Sequence, residues 1–242
     1  MSGTWLALDA STYAGSVAVV RDGRVVAEAD VAMRGEREER LMPAVIDVLA
    51  AAGLAAAGPA AGRGADRPLG PGAEGLDVVV CGGGPGSFTS LRIAASIAKG
   101  LAFSLGAELW SVPSLALVVA GGVGGADATA PGRYLATLDA MRGDVYAQPF
   151  DVDATGAVAA AGGVALVPAA RLAALAESSG ATPVGPAAGG GWTPHARAVA
   201  RLAGGTLLAP VDLARWEPDY GRLAEAQVRW EQAHGRPLGS GA

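Results

Sequence analysis

The chain has 242 residues, of which 51% are hydrophobic and 17% charged; these proportions exclude a disordered protein and allow one large or two modest domains. Its net charge of −5 argues against a chain that grips nucleic acid by itself, because phosphate binding depends mainly on Lys and Arg. A single cysteine, Cys81, excludes an internal disulfide and a multi-cysteine metal cluster. Without a signal pattern or a run near the ~20 apolar residues of a membrane span, we expect a cytoplasmic protein with no membrane contact.

The N-terminal part is expected to hold three antiparallel strands followed by a helix. Asp22-Gly23 is the signal of a tight hairpin, and apolar positions recur with helical period after residue 38. The expected strands cover 4–9, 16–20 and 25–31, and the helix covers about 38–52. Residues 54–75 are rich in Ala, Gly and Pro, so we expect a flexible insertion there.

A glycine-rich turn is the most informative segment of the chain. It runs from Gly82 to Thr89, between an apolar strand pattern at 77–81 and a helical pattern over 90–104. Such a turn can present backbone N–H groups to an anion such as a phosphate. Alternatively, its glycines only allow a tight turn and a close approach of helix and sheet. It is not a Walker loop, because Lys99 lies inside the helical pattern, and the residue types alone leave both interpretations open.

A second unit of similar rhythm is expected from residue 108 onward. The hairpin turn at 139–144 separates two apolar strands, and a Gly/Pro-rich loop at 185–191 separates two helical patterns. The expected strands cover 108–112, 133–138 and 145–150, and the expected helices cover 171–177, 195–203 and 218–230. From this similar succession of strands and helices we expect two related halves.

Four segments, in this order, resemble a known family. They are 8–18 with its Asp-Ala-Ser-Thr start, 84–102 with Gly-Pro-Gly-Ser-Phe-Thr, 112–115 with Val-Pro-Ser-Leu, and 138–146 with Leu-Asp-Ala-Met-Arg-Gly-Asp-Val-Tyr. A weaker match lies at 220–225. Together they resemble the family of the bacterial tRNA threonylcarbamoyladenosine biosynthesis protein TsaB. Members of this glycoprotease-like family are non-catalytic paralogues of TsaD.

The resemblance implies an α/β protein with the actin-like ATPase (ribonuclease H-like) fold. Two related lobes, each with a mixed β-sheet flanked by helices, are then expected. The N-terminal lobe with its partner-binding helices would cover 1–107 and a smaller C-terminal lobe 108–217. Residues 218–242 would form a C-terminal helix and tail that packs back on the N-terminal lobe.

The resemblance also implies a role as a scaffold without chemistry of its own. In that family the chain pairs with the catalytic TsaD subunit, which threonylcarbamoylates the adenosine beside the anticodon in tRNAs that read codons starting with A. The small ATPase TsaE joins this pair, so ATP is used elsewhere in the complex and this chain requires no cofactor. Alone the chain is expected to form a homodimer, and it would meet tRNA only through the complex.

We expect no catalytic and no metal-binding residues in this chain. Catalytic relatives carry a metal-binding His-x-x-x-His, and the matching positions here are Ser114 and Val118, neither of which binds a metal as imidazole does. The two histidines of the sequence, His195 and His234, have no second ligand at helical spacing, so we interpret His195 as a surface or capping residue.

A degenerate phosphate site is the one ligand site that the resemblance suggests. Its residues would be Asp9, Ser11, Thr12, Gly84, Gly86, Ser87 and Thr89. The alternative is that these carboxyl and hydroxyl groups only satisfy N–H groups of their own turns and cap the helix.

The partner is expected to dock on the two N-terminal helices, 38–52 and 90–104, which in the family pack against the equivalent pair of another subunit. The apolar stripes expected at this interface are Leu41, Val45, Leu49, Ile93, Ile97 and Leu101. The alternative is that these stripes face their own sheet.

Two enzyme-like alternatives share the fold: a small-molecule kinase and a stand-alone ATP-binding regulator. A kinase needs an acidic catalytic base, for which Asp139 and Asp151 are candidates, and an adenosine pocket, for which 185–191 is a weak candidate.

Overall fold

The computed structural model describes residues 2–34, 39–54, 75–122, 129–189, 191–222 and 234–235. Its N-terminal sheet begins with three antiparallel strands, as the sequence predicts. They are β1 (Thr4–Asp9), β2 (Ala14–Arg21) and β3 (Arg24–Ala32). Asp22 and Gly23 both have positive φ, 49° and 77°, which is the geometry that a two-residue hairpin turn needs.

The same sheet is extended beside β1 by two parallel strands and, at its edge, by a short antiparallel one. Strands β4 (Val78–Gly82), β5 (Glu108–Val112) and the short β11 (Ala209–Pro210) complete the order β11-β5-β4-β1-β2-β3. Helices α1 (Leu41–Ala51) and α2 (Phe88–Leu105) pack on this sheet and form a single hydrophobic core with it. Leu6, Leu8, Val17 and Val19 face these helices, because side chains on a strand alternate between its two faces.

A second mixed sheet follows in the chain. Its strands are β6 (Gly132–Asp139), β7 (Asp144–Val152), β8 (Val158–Ala160), β9 (Ala165–Pro168) and β10 (Thr182–Val184). Their order in the sheet is β10-β6-β7-β8, with β9 also paired to β7. The long β6–β7 hairpin lies where the sequence predicts it, and helix α4 (Leu172–Ser179) contacts β7 and β10.

The two sheets share one core through helix α3 (Ser114–Gly121). All eight residues of this helix are buried, which is typical of a helix that is apolar all round. The core cluster around it contains Trp5 and Val80 from the first sheet together with Leu138 and Phe150 from the second. The sheets are therefore the two walls of a cleft whose floor is a continuous core.

Two expectations of the sequence reading need correction. Strand β5 was expected to open the second unit at residue 108, but it pairs with β4 in the first sheet, because the β4–α2–β5 crossover returns to the same sheet. The helix expected over 195–203 is a single 3₁₀ turn, Ala196–Ala198, followed by the short α5 (Val199–Leu202). The division into domains otherwise stays a prediction.

Several expected features lie largely outside the described residues. The first helix begins at Leu41, since residues 39 and 40 are not helical, and most of the expected insertion, 55–74, is not described. Residues 218–222, where a helix was expected to begin, have no helical structure, and the rest of that expected helix, 223–230, lies outside the described residues. Within the described ranges, every helix is too short or too polar to cross a bilayer.

Candidate functional site

Asp9 lies at the carboxyl end of β1 and is completely buried. Its Oδ1 accepts hydrogen bonds from the Ser11 amide at 3.0 Å and the Ser11 hydroxyl at 2.7 Å, and its Oδ2 accepts one from the Ser114 hydroxyl at 2.6 Å. Burial raises the pKa of this carboxyl, while the bonds from Ser114 and Ser11 oppose that rise. Both carboxyl oxygens are thus used inside the protein.

The glycine turn is shaped to fit against Asp9. A Cβ on Gly82 would lie 1.9 Å from the Asp9 Oδ2 atom, and one on Gly86 would lie 2.2 Å from the Ser11 carbonyl oxygen. Neither position can hold a larger residue without displacing its neighbour. These two glycines therefore allow close approach of the turn to the end of β1.

Three backbone amides of the turn are also used internally. The Gly83 amide donates to the Val112 carbonyl at 2.7 Å, the Gly84 amide to the Ser114 hydroxyl at 3.1 Å, and the Ser87 amide to the Ser11 carbonyl at 2.8 Å. An anion held here would have to compete with these three bonds. The geometry therefore favours the packing interpretation of the turn, and phosphate binding stays a prediction.

The seven residues predicted for a phosphate site separate into two groups. Ser11, Thr12, Gly86, Ser87 and Thr89 line a cavity of about 1100 Å³ between the two sheets, which we call the cleft cavity. Asp9 and Gly84 do not line it; Asp9 is sealed behind Ser11 and Ser114. The structure therefore brings the hydroxyl groups of the predicted site together at the cleft, but it leaves the Asp9 carboxylate outside the cavity.

Opposite these hydroxyls, the cleft cavity is lined by the β6–β7 turn. Asp139 Oδ1 accepts the Met141 amide at 2.7 Å, and Met141 and Arg142 both have positive φ, 63° and 59°, which residues other than glycine rarely adopt. The Tyr13 hydroxyl lies 3.6 Å from the Met141 sulfur and so connects the two walls of the cleft. Asp151, the second candidate base, lies elsewhere and pairs with Arg133 at 2.7 Å.

Ser114 and Val118, where the resemblance places the metal ligands of catalytic relatives, lie on α3 and are completely buried. The Ser114 hydroxyl donates to Asp9 and accepts from the Gly84 amide. Among the residues that the structure describes, no three His, Cys, Asp or Glu side chains lie close enough to share a metal ion. Position 114 therefore connects β1, α3 and the glycine turn.

His195 is a capping residue, as one interpretation predicted, but it is buried rather than on the surface. It is only 4% exposed; its Nδ1 accepts the Arg197 amide at 3.1 Å, and its Nε2 lies 3.3 Å from Asp30 Oδ1. Burial lowers the pKa of His195, Arg197 adds to this, and the carboxylate of Asp30 opposes it. No local sequence pattern indicated the contact of His195 with β3.

Residues 218–222, which were expected to begin a helix, cross the cleft instead. Together with residues 216 and 217 they form a segment that we call the C-terminal strap, residues 216–222. The Asp219 amide donates to the Gly83 carbonyl at 2.8 Å, and the Asp219 carbonyl lies so close to Gly84 that a Cβ there would be 2.0 Å from it. The Tyr220 ring packs on the Phe88 ring with centroids 4.7 Å apart. Pro218 and the Asp219–Gly221 turn, where the Asp219 carboxylate accepts the Gly221 amide, were the available signals.

The expected partner interface is the largest correction. Leu41, Val45, Leu49 and Leu101 are buried in the core between their helices and the first sheet, so these four cannot supply an exposed docking stripe. Ile93 and Ile97 are half-buried at the edge of that core. The outward apolar side chains on these helices are different ones, with Ile46 53% and Phe103 80% exposed.

Comparisons with known proteins agree on one group of relatives. The chain is 35% identical over 153 residues to tRNA threonylcarbamoyladenosine biosynthesis protein TsaB of Escherichia coli, which covers 62% of this chain and 56% of that protein. It is 32% identical over 143 residues to the protein of the same name from Bacillus subtilis, covering 59% of this chain and 53% of that one. The chain thus spans little more than half the length of these relatives.

Solved structures agree with the sequence relatives. YeaZ from Pseudomonas aeruginosa superimposes with a TM-score of 0.67 at 28% identity, covering 91% of this chain and all of that chain. A second Pseudomonas aeruginosa structure, described by its similarity to peptidase YeaZ, gives 0.66 at 29% identity and covers 92% of this chain. The two mixed sheets flanked by helices are consistent with the actin-like, ribonuclease H-like fold.

A family model also matches residues 69–190, which is half of the chain. The chain therefore belongs to the family described as TsaD, tRNA N6-adenosine threonylcarbamoyltransferase, and the relatives that it resembles within this family are TsaB proteins.

Proposed function

We propose that the chain is a non-catalytic scaffold or activating subunit of the machinery that makes threonylcarbamoyladenosine in tRNA. It would be needed for threonylcarbamoylation of the adenosine beside the anticodon in tRNAs that read codons starting with A. The names of the relatives support a part in threonylcarbamoyladenosine biosynthesis, and the hydrogen bonds around Asp9 support the non-catalytic role.

The observation that carries the proposal is the closed hydrogen-bond network of Asp9, Ser11 and Ser114. A working catalytic carboxylate must reach a substrate or a metal ion, yet both oxygens of Asp9 accept bonds from protein donors and its side chain is sealed from solvent. The same network includes Ser114, which stands where catalytic relatives are expected to place a metal ligand. The network therefore supports a structural role for the residues that would otherwise do chemistry.

The proposed partners are a catalytic TsaD subunit and the small ATPase TsaE. The chain would require no cofactor of its own, and ATP would be used elsewhere in the complex. A net charge of −5 supports contact with tRNA only through the complex, because a partner must then supply the basic surface.

The proposed docking face comprises the outward apolar side chains of α1 and α2. We define it by the exposed Ile46 and Phe103 together with Met42, Ile93 and Ile97, which are half-buried at the edge of the core beneath. Phe103 is the most exposed large apolar side chain among the described residues, and exposed apolar residues grouped on adjacent helices are typical of interaction sites. The same face would hold two copies together in a homodimer when the catalytic subunit is absent.

The proposal is tested by reconstitution. The purified chain is mixed with a bacterial TsaD subunit, TsaE, ATP, threonylcarbamoyl-adenylate and unmodified tRNA, and threonylcarbamoyladenosine is measured by mass spectrometry of nucleosides. We expect modification to depend on the chain and to be absent with the chain alone. Modification at the same rate without the chain would contradict the proposal.

A small-molecule kinase is a second candidate because Asp139 and Arg142 line the cleft cavity, whose volume of about 1100 Å³ is enough for a nucleotide. Nucleotide hydrolysis or transfer by the chain alone, lost on Asp139→Asn, would favour this candidate. Calorimetry with ATP and magnesium separates the scaffold role from both alternatives, because a kinase and a stand-alone ATP-binding regulator would each bind ATP. The regulator would bind it without turnover.

A further inference from the structure

We propose that the C-terminal strap is a latch that holds the cleft closed by tying the glycine turn of the first sheet to β7 of the second. This inference does not depend on the proposed function, since it concerns only contacts within the chain.

On the first sheet, the strap is anchored at the glycine turn and at α2. The Asp219 amide donates to Gly83, Tyr220 packs on Phe88, and the Lys99 ammonium donates to the Trp216 carbonyl at 3.0 Å. These contacts come from main chain and side chain alike, and they place the strap directly over Gly84. The space over the turn is therefore filled by the protein's own backbone.

On the second sheet, the strap is anchored to the start of β7. The Tyr146 hydroxyl donates to the Tyr220 carbonyl at 3.3 Å, and Arg222 forms an ion pair with Asp144. Burial raises the pKa of Tyr146, so its hydroxyl stays protonated and can donate. A Cβ on Gly221 would lie 2.5 Å from the Tyr146 ring, so glycine is needed for this approach. Consecutive strap residues thus contact opposite walls of the cleft.

The strap also divides two cavities. The cleft cavity lies on one side, and a second cavity of about 510 Å³, the outer cavity, lies between α2 and the strap. Phe88, Tyr220 and Arg222 line both cavities, so they form the wall between them. The outer cavity is basic, with Arg92 and Lys99 on α2. Release of the strap would join the two into one groove that leads from the outer face of α2 into the cleft.

The strap is built to open at lower cost than the elements it joins. It has no helix or strand, and within it only Pro218 is buried and only Trp216 packs, half-buried, on the edge of a core cluster, whereas α2 and β7 each supply several fully buried residues to the core. Segments with few buried apolar contacts open locally with free energies far below that of global unfolding. The strap therefore has the properties of a latch rather than of a core element.

Hydrogen exchange of the full chain tests the latch directly. Asp144→Asn removes the charge that Arg222 pairs with, and the matched control is Asp151→Asn, which breaks the Arg133 ion pair on the same strand away from the cleft. We expect Asp144→Asn to speed exchange of the Asp219 amide and of the amides at 83–87 by about two- to fivefold, and Asp151→Asn to leave them unchanged. Faster exchange confined to 219–222 would overturn the proposal, as would equal effects of the two variants.

A second variant pair keeps the test independent of the ion pair. Tyr220→Ala removes the ring that packs on Phe88, and Tyr220→Phe retains it. We expect Tyr220→Ala to speed exchange at both anchors, 83–87 and 144–147, while Tyr220→Phe behaves as the wild type. Circular dichroism verifies that each variant is folded. If Tyr220→Ala changes exchange at only one anchor, the strap does not connect the two walls and the proposal fails.

Discussion

The glycine turn and the outer face of α1 and α2 both look like binding regions in the sequence, but the structure treats them in opposite ways. In the turn, Asp9 and the amides of Gly83, Gly84 and Ser87 have partners inside the protein. On the helices, Ile46 and Phe103 are left exposed without apolar cover. The difference teaches that residue type marks a candidate, whereas its hydrogen-bond partners and exposure decide whether it is available to a ligand or a partner.

The largest effect is expected at Asp9. Asp9→Ala would leave the Ser11 amide, the Ser11 hydroxyl and the Ser114 hydroxyl without their acceptor, and buried unsatisfied donors are costly. We expect the free energy of unfolding to fall by about 3–5 kcal/mol, measured by urea denaturation. A loss below about 1 kcal/mol would show that the network is not the structural centre of the turn.

Alanine substitutions at a buried glycine, Gly82, and at an exposed one, Gly100 on α2, test how tightly the glycine turn packs compared with the helix surface. Gly82→Ala would place a Cβ 1.9 Å from Asp9 Oδ2, whereas Gly100→Ala on α2 meets no atom within 4 Å. We expect Gly82→Ala to lower the free energy of unfolding by about 1–3 kcal/mol. Gly100→Ala is the matched control, and we expect it to raise stability by up to about 1 kcal/mol because alanine favours the helix. Equal effects in thermal denaturation would contradict this packing account.

The docking face is tested by Phe103→Asp. The side chain is 80% exposed, so we expect no loss of folding stability but at least about tenfold weaker association with the catalytic subunit, or with a second copy of the chain. Analytical ultracentrifugation measures both associations. Val25→Asp on β3, where the side chain is 39% exposed, serves as the matched control for an added charge on another surface. Unchanged association of Phe103→Asp would remove this face from the account.

The smallest effect is a pH dependence from His195. Burial lowers its pKa in the folded protein below the ordinary value of 6.5, so the neutral form is favoured by folding. The stability that this provides is fully present above pH 6.5 and is lost as the pH falls through the folded pKa. We expect wild-type protein to lose more stability between pH 7 and pH 5 than His195→Asn, as measured by urea denaturation at each pH. Identical pH profiles would show that His195 does not titrate on unfolding.

Much of the framework could be predicted from the sequence because local signals specify it. Short apolar runs identified β1, β2 and β4, Asp22-Gly23 identified the first hairpin, and the glycine turn was found between β4 and α2. The β6–β7 hairpin followed from its turn residues. The identification of the family relied on the same segments.

The errors share a physical cause, which is that local periodicity does not reveal long-range partners. An apolar stripe such as Leu41, Val45 and Leu49 has the same spacing whether it faces its own sheet or another subunit, and here it faces the sheet. The contact of Asp219 with Gly83 joins segments that are far apart in the chain, so no local pattern could predict the strap. The burial of His195 against β3 was missed for the same reason.

The central claim is that the chain enables a partner's chemistry without performing chemistry itself. The most direct measurement is the initial rate of threonylcarbamoyladenosine formation on tRNA by a fixed amount of TsaD and TsaE as the chain is titrated. The account predicts that the rate rises with the chain and saturates near a fixed ratio to TsaD, with no product from the chain alone. A rate that does not depend on the chain, together with nucleotide turnover by the chain alone, would contradict it.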